Sequence, residues 1–251
     1  MGLSYNSGHD ELFVADRKNH VVRSMHLGDN TFELRDVYKG TAHDRSPLIY
    51  SVCHMSDSDT LLVCSGEVWE VSGEQWLVAF SRMKSEWREA HRVLTEGMGW
   101  ICCALNHSRV LVGECDSTYM ELFRVQSGPS IARSRIHVPE EYKRFSATSG
   151  SDTLVAMSFS ADQSVRVYRL CGGDQLDALA LIRLTTPGAL LWLIAAQDAD
   201  SNAIIELKFS GTHLGRRYKL VDCNVERWCI VKNGLAIVEG QSGDILHYRI
   251  Q

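Results

Sequence analysis

The 251-residue sequence lacks the features of membrane and secreted proteins. Its longest apolar segment, residues 189–196, is far shorter than the roughly 18 residues that a membrane-spanning helix needs. The first residues contain no basic region followed by an apolar run and a small-residue cleavage site. The expected protein is therefore intracellular and cytoplasmic, with no membrane partner.

The sequence also lacks an excess of positive charge and the short motifs of several enzyme classes. A formal net charge of −5 gives no general attraction to phosphate backbones, so nucleic acid is not the expected partner. No nucleophile elbow, Walker-type loop or His-Glu-x-x-His motif occurs. These absences favour a noncatalytic protein with no cofactor.

Eight cysteines occur, but not in a pattern that predicts disulfides or zinc. The chain is long, and adjacent Cys102 and Cys103 next to His107 do not supply the paired spacing of a zinc site. Free Cys is among the most often buried side chains. We therefore predict that five cysteines in apolar runs are free core residues, namely Cys53, Cys64, Cys102, Cys103 and Cys229.

What the sequence does contain is a repeat. The stretch SDTLLV at residues 58–63 recurs almost unchanged as SDTLVA at residues 151–156. Short apolar runs of this kind, each ending in a small or polar residue, begin between 37 residues (Leu154 to Leu191) and 49 residues (Leu12 to Leu61) apart. Such a period indicates a solenoid, an array or a propeller. The six runs occupy residues 12–16, 61–65, 110–114, 154–158, 191–195 and 235–239.

Each apolar run is too short for a helix and is typical of a strand buried on both faces. An apolar segment with small residues precedes it, an alternating segment follows it, and a more polar segment comes last. This pattern predicts an all-β protein, a single six-bladed β-propeller domain over residues 1–251 built from four-stranded antiparallel blades. The predicted blades are residues 8–40, 48–97, 98–141, 144–184, 185–223, and 226–251 together with 1–7.

Three places leave the pattern open. The inner strand before residue 191 is squeezed around Pro187, and residues 85–97 could instead form an amphipathic helix. The last unit ends after three strands, which would leave a free edge. We predict that residues 2–7 close the ring by pairing beside residues 245–250.

Residues 11–23, ELFVADRKNHVVR, resemble the consensus of NHL repeats, in which an apolar-Ala-Asp strand end precedes Asn-His and a β-branched-x-Arg strand. The WD40 repeat superfamily is a poorer match, because no copy has Gly-His or Trp-Asp. The resemblance implies a six-bladed propeller. Propellers of this kind include scaffolds, RNA binders and hydrolases, so fold alone does not choose a function.

The residues that close the apolar runs are the candidate site. If the copies superpose, carboxylates and hydroxyls would lie at one level around the channel and could bind a divalent cation or a small ligand. In the structural alternative, which we favour, each side chain caps its own turn. The candidates are Asp16, Ser65, Glu114, Ser158 and Glu239, with Ala195 in the fifth copy.

Trp69 and Trp87 lie nearest to predicted loops and are the candidate anchors for a partner. The favoured function is a noncatalytic scaffold, monomeric, that binds a protein or peptide. Alternatives are a hydrolase with a divalent metal in the channel and an NHL-like RNA-binding module. For RNA, two small basic and aromatic clusters at residues 142–145 and 216–219 are the candidate contacts.

Overall fold

The computed structural model describes residues 2–27, 34–39, 48–55, 58–66, 74–84, 86–96, 101–106, 108–114, 117–125, 131–142, 144–147, 154–159, 164–171, 175–183, 190–192, 195–198, 203–207, 214–219, 225–231, 234–239 and 245–249. These residues form six antiparallel sheets, five with four strands and one with three. No helix long and apolar enough to cross a membrane occurs among them.

Strands follow one another in chain order within every sheet. The first sheet contains β1 (Leu3–Asn6), β2 (Glu11–Asp16), β3 (Val21–His26) and β4 (Arg35–Lys39). The second contains β5 (Leu48–Met55), β6 (Thr60–Gly66), β7 (Gln75–Met83) and β8 (Glu86–Leu94). The third contains β9 (Ile101–Asn106), β10 (Arg109–Gly113), β11 (Ser117–Val125) and β12 (Ile131–Tyr142).

The same order continues in the second half of the chain. The fourth sheet contains β13 (Arg144–Ala147), β14 (Leu154–Phe159), β15 (Ser164–Cys171) and β16 (Gln175–Arg183). The fifth contains β17 (Leu190–Trp192), β18 (Ala195–Asp198), β19 (Ala203–Leu207) and β20 (Leu214–Lys219). The last contains β21 (Val225–Val231), β22 (Gly234–Glu239) and β23 (Ile245–Arg249).

Burial in the second sheet decreases from the second strand to the fourth, as the sequence predicts. All seven residues of β6 are buried, because apolar side chains occupy both of its faces. In β7 only the middle is buried, and β8 alternates between exposed and partly buried residues. The segment that could have formed an amphipathic helix is therefore this exposed fourth strand, which pairs with β7.

Consecutive sheets pack face to face. Phe13 and Val22 of the first sheet share one apolar cluster with Leu61 and Phe80 of the second. A second cluster joins the second sheet to the third, and another joins the third to the fourth. The second strands of the second and third sheets, β6 and β10, thus have a neighbouring sheet on either side, which removes their side chains from water.

The prediction that residues 2–7 pair with the last sheet was wrong. The segment forms β1, which pairs with β2 and supplies the inner strand of the first sheet. A tight turn joins them, with Asp10 at φ 51°, and the backbone N–H of Ala15 donates to the carbonyl of Gly2 at 2.8 Å. Pairing with β2 closes a short loop, whereas pairing with residues 245–250 would close a loop of nearly the whole chain. The entropic cost of closing a loop rises with its length. The last sheet has three strands among the described residues.

The fifth predicted apolar run was also placed wrongly. Residues 191–195 do not form one strand, because Trp192 of β17 pairs with Ala195 of β18. Ala195 therefore begins a second strand, and Asp198 ends it. A continuous apolar segment has no alternation that would locate the turn inside it, which explains the error.

Gly113, the last residue of β10, provides a test of the packing between the third and fourth sheets. An added Cβ would clash with Oη of Tyr142 and lie 2.7 Å from Cε1 of Phe145, and both rings are fully buried. Gly113→Ala should lower the free energy of unfolding by about 2 kcal/mol, measured by urea denaturation. Gly8→Ala is the control, because its Cβ would meet only Asn6 Oδ1, at 3.3 Å. Equal effects of the two variants would contradict this packing.

Candidate functional site

The candidate residues at the ends of the second strands lie where the sequence places them. Asp16 ends β2 and Ser65 is the penultimate residue of β6, while Glu114 follows β10 directly. Ser158 and Glu239 occupy equivalent positions in β14 and β22, but their side chains lie outside the description. We call the end of the first three sheets where β2, β6 and β10 terminate the strand-end face.

Asp16 caps its own turn. Its Oδ1 accepts the backbone N–H of Asn19 at 3.2 Å, and its Oδ2 accepts the side-chain amide of Asn19 at 2.7 Å. Nε of Arg23 lies 3.6 Å from Oδ2. Both carboxylate oxygens are therefore engaged within the first sheet, as the structural alternative predicts.

Ser65 and Glu114 differ from Asp16 in their surroundings. Ser65 is buried inside the second sheet, where it pairs with Ile49 and Trp76. Burial, with the nearby carboxylates of Glu114 and Glu121, raises the pKa of Tyr119. Within the described ranges, no group of three His, Cys, Asp or Glu side chains could hold a metal ion. A ring of ligands at this level stays a prediction.

Three arginines that stack on aromatic rings are the feature of the strand-end face that the sequence did not reveal. The guanidinium carbon lies 5.4, 5.6 and 4.5 Å from the ring centroid in the pairs Arg17–Tyr50, Arg92–Trp76 and Arg135–Tyr119, respectively. Each distance is within the range of a cation–π interaction. Arg17 and Tyr50 meet between the first and second sheets. Arg92 and Trp76 meet within the second sheet, and Arg135 and Tyr119 within the third.

Strand register explains why these pairs meet. Trp76 pairs with Leu94 and Val78 pairs with Arg92, so Trp76 and Arg92 are diagonal neighbours on one face of the sheet. The same diagonal relation joins Tyr119 to Arg135, across β11 and β12. Arginines and aromatics are visible in the sequence, but their contact depends on a register that contains irregularities in both sheets.

Trp87, one of the two candidate partner anchors, is half-buried between the first two sheets. Its ring lies edge-on to Phe13 at 5.5 Å, and the Arg82 guanidinium lies 4.4 Å from its centroid. Only part of the ring is available to a partner. Trp69 lies outside the described residues.

A cluster of charged side chains joins the first two sheets at the end opposite the strand-end face. Asp59 is at its centre: Oδ2 lies 2.9 Å from Nε of Arg82, and Oδ1 lies 2.9 Å from Nε2 of His54. Oδ1 also accepts the side-chain amide of Asn6 at 3.3 Å, and Arg82 in turn pairs with the buried Glu11. These contacts cross from β1 and β2 to β5 and β7, so the cluster fixes one sheet against the next.

The conformation of Asp59 ties this cluster to the repeat. Asp59 belongs to the recurring stretch SDTLLV and has φ 43°, a left-handed conformation uncommon in residues other than glycine. The turn therefore aims its carboxylate at His54 and Arg82. Burial lowers the pKa of His54 despite its hydrogen bond to Asp59. The recurring stretch revealed the repeat in the sequence but not these ion pairs.

A second charged cluster joins the second sheet to the third near the strand-end face. The buried carboxylate of Glu121 accepts the backbone N–H of Glu96 at 3.1 Å and lies 3.3 Å from Nη1 of Arg133. Arg133 also donates to the Glu96 carboxylate at 2.7 Å, and Arg135 contacts the same carboxylate. Burial raises the pKa of Glu121 to about 7, although Arg133 acts in the opposite direction.

The Glu121 pKa predicts a pH dependence of stability. Because the folded state binds this proton more tightly than the unfolded state, where the pKa is near 4.5, the contribution of Glu121 to stability falls as pH rises between these values. The free energy of unfolding of Glu121→Gln minus that of wild type should rise by roughly 2 kcal/mol from pH 5 to pH 8. Urea denaturation at each pH measures it. Glu74→Gln, at an exposed carboxylate next to β7, shows the effect of removing a surface charge. A constant difference between Glu121→Gln and wild type across this range would refute the assignment.

Comparison with known proteins identifies the fold. No protein-family model and no curated protein sequence matches the chain. The Swd1 β-propeller domain of Myceliophteria thermophila is similar in structure, with a TM-score of 0.63 at 12% identity, over 100% of this chain and 98% of that one. A chain of the mitotic checkpoint complex aligns with a TM-score of 0.63 at 9% identity, over 99% and 88% of the two chains.

Enzymes are also among the similar structures. The periplasmic gluconolactonase of Pseudomonas aeruginosa aligns with a TM-score of 0.61 at 11% identity, over 100% of this chain and 84% of that one. At these identities the likeness shows the fold alone. The chain therefore has a β-propeller fold, whereas its resemblance to NHL repeats stays an expectation.

Proposed function

We propose that the chain is a noncatalytic scaffold that binds a protein or an extended peptide on its strand-end face. In this proposal the six sheets are the blades of one closed propeller. The proximity of β1, the inner strand of the first sheet, to β21, the inner strand of the last, supports closure. A closed ring would hold the strand ends of all sheets around one channel mouth.

The observation that carries this proposal is the set of arginine-on-aromatic pairs. Arginine, tryptophan and tyrosine dominate the binding energy of protein interfaces, because they combine a large apolar contact area with directed hydrogen bonds. Arg92 and Arg135 keep part of their guanidinium exposed while the ring beneath each is partly buried. Such pairs present rigid cationic side chains and lose little conformational freedom when a partner binds.

The environment of Asp16 favours binding over catalysis. A general base or a metal ligand needs a carboxylate oxygen directed at its substrate or ion. Both oxygens of Asp16 instead accept hydrogen bonds from Asn19. Asp16, the candidate metal ligand of the first sheet, thus uses both oxygens to stabilise its own turn.

The proposal predicts that peptides selected on the chain will bind at the strand-end face. A library of random linear peptides is panned on the purified chain, and the affinity of selected peptides is measured by calorimetry. The double variant Arg17→Glu with Arg92→Glu should weaken binding at least tenfold, since it reverses the charge at two of the pairs.

Arg88→Glu is the matched control, because this exposed arginine of β8 lies near the opposite end of the same sheet. It should leave the affinity unchanged. Selection of no peptide above background, or equal loss of affinity in both variants, would contradict the proposed site.

A calcium titration separates the scaffold from the alternative hydrolase. In the hydrolase hypothesis a divalent cation lies at the level of Asp16, Glu114 and Glu239 and would stabilise the folded chain by mass action. We expect no concentration-dependent shift of the thermal midpoint in CaCl₂. A shift in wild type that disappears in Asp16→Asn would support the hydrolase instead.

RNA binding is the third hypothesis, and one of its two candidate clusters is unsuitable. Tyr142 and Phe145 are fully buried and pack edge to face at 5.8 Å. Neither ring can stack on a base. The side chains of residues 216–219 lie outside the description, so that cluster stays a prediction, with steep salt dependence as its signature.

A further inference from the structure

Three thiols meet in the core where the second sheet packs against the third. Cys53 of β5, Cys64 of β6 and Cys102 of β9 belong to one apolar cluster, and all three are free. Ser51 pairs with Cys64 and Cys53 pairs with Leu62, which places these side chains on the same face of the second sheet. Cys102 approaches this face from the third sheet.

Cys102 is at the centre of the group. Its side chain packs in the same apolar cluster as those of Cys53 and Cys64. Its backbone N–H donates to Oγ of Ser51 at 3.1 Å, and its Sγ lies 3.3 Å from the same oxygen. These contacts position the Cys102 sulfur next to two other sulfurs rather than against hydrocarbon alone.

The surroundings of the three thiols favour ionisation of Cys102 over that of Cys53 or Cys64. Burial opposes its ionisation, but the hydrogen bonds with Cys53, Cys64 and Ser51 outweigh that effect and hold its pKa well below the usual range. The hydrogen bond to Cys102 and burial raise the pKa of Cys53 and of Cys64. A single thiolate between two thiols is the arrangement from which a disulfide forms.

We infer that Cys102 and Cys53 are a redox modification site, at which hydrogen peroxide produces a disulfide between the second and third sheets. The Cys102 thiolate attacks one peroxide oxygen and breaks the O–O bond, which gives a sulfenic acid and, with the thiol proton, one water. The sulfur of Cys53 then attacks the sulfenic sulfur and displaces its hydroxyl, which leaves as a second water with the Cys53 proton. Two thiols lose two electrons, and one peroxide becomes two waters.

Cys53, rather than Cys64, is the partner because it lies on a first strand and is less completely buried. Cys53 and Cys102 both lie on first strands of neighbouring sheets and keep 5% and 6% of their surface exposed, whereas Cys64 lies on a second strand and keeps 1%. A small oxidant reaches Cys102 and Cys53 more easily. This inference does not depend on the proposed function.

The test is peptide mapping of the full chain after treatment with hydrogen peroxide and alkylation of the remaining thiols. The expected product is one cross-link between Cys53 and Cys102 that dithiothreitol removes. Cys64→Ala should retain it, and Cys53→Ala and Cys102→Ala should abolish it. A cross-link between Cys64 and Cys102, or oxidation of Cys102 to sulfinic acid without a cross-link, would overturn the inference.

Stability provides a second measurement. The cross-link would close a loop of about 50 residues and should raise the thermal midpoint by on the order of 5 °C in wild type and in Cys64→Ala. Circular dichroism of the reduced variants shows whether each has folded. If Cys53→Ala or Cys102→Ala fails to fold, the mapped cross-link in wild type and Cys64→Ala decides the question.

Discussion

The constraint on which the structure depends is the burial of each second strand on both faces. Leu12, Leu61 and Leu111 are each fully removed from water, and their neighbours on the opposite faces of the same strands are buried as well. One sheet cannot cover both faces of its own strand, so each sheet needs another on either side. This requirement places the sheets next to one another in chain order and leaves the polar fourth strands at the outside.

Apolar packing holds the sheets together but does not by itself fix how one sheet slides along the next. Directional contacts at the two ends do that. Arg82 pairs with Glu11 across the first two sheets at one end, and Arg133 pairs with Glu96 across the second and third near the other. A buried ion pair costs desolvation energy and is satisfied only in one arrangement, so its main effect is on the relative position of the sheets rather than on net stability.

Much of the fold could be predicted from the sequence, because a strand that is apolar on both faces, a half-buried strand and an exposed strand leave different patterns. The errors lie where the pattern of apolar and polar residues locates neither a turn nor the partner of a strand. The run around Trp192 is apolar throughout, and the partner of Leu3–Asn6 depends on loop length rather than on residue type. The candidate site was harder, since the contact of Arg92 with Trp76 depends on strand register, and no sequence pattern marked Asp59 as the centre of a charged cluster.

A register irregularity occurs between the third and fourth strands of all five four-stranded sheets, for example between Val22 and Arg23 and between Val167 and Tyr168. Extra residues of this kind increase the local right-handed twist of a strand. The outer edge of each sheet is therefore rotated away from the plane in which another edge strand could align with it. Together with the charges of strands such as Glu86–Leu94, this rotation disfavours edge-to-edge pairing at the fourth strands of these five sheets.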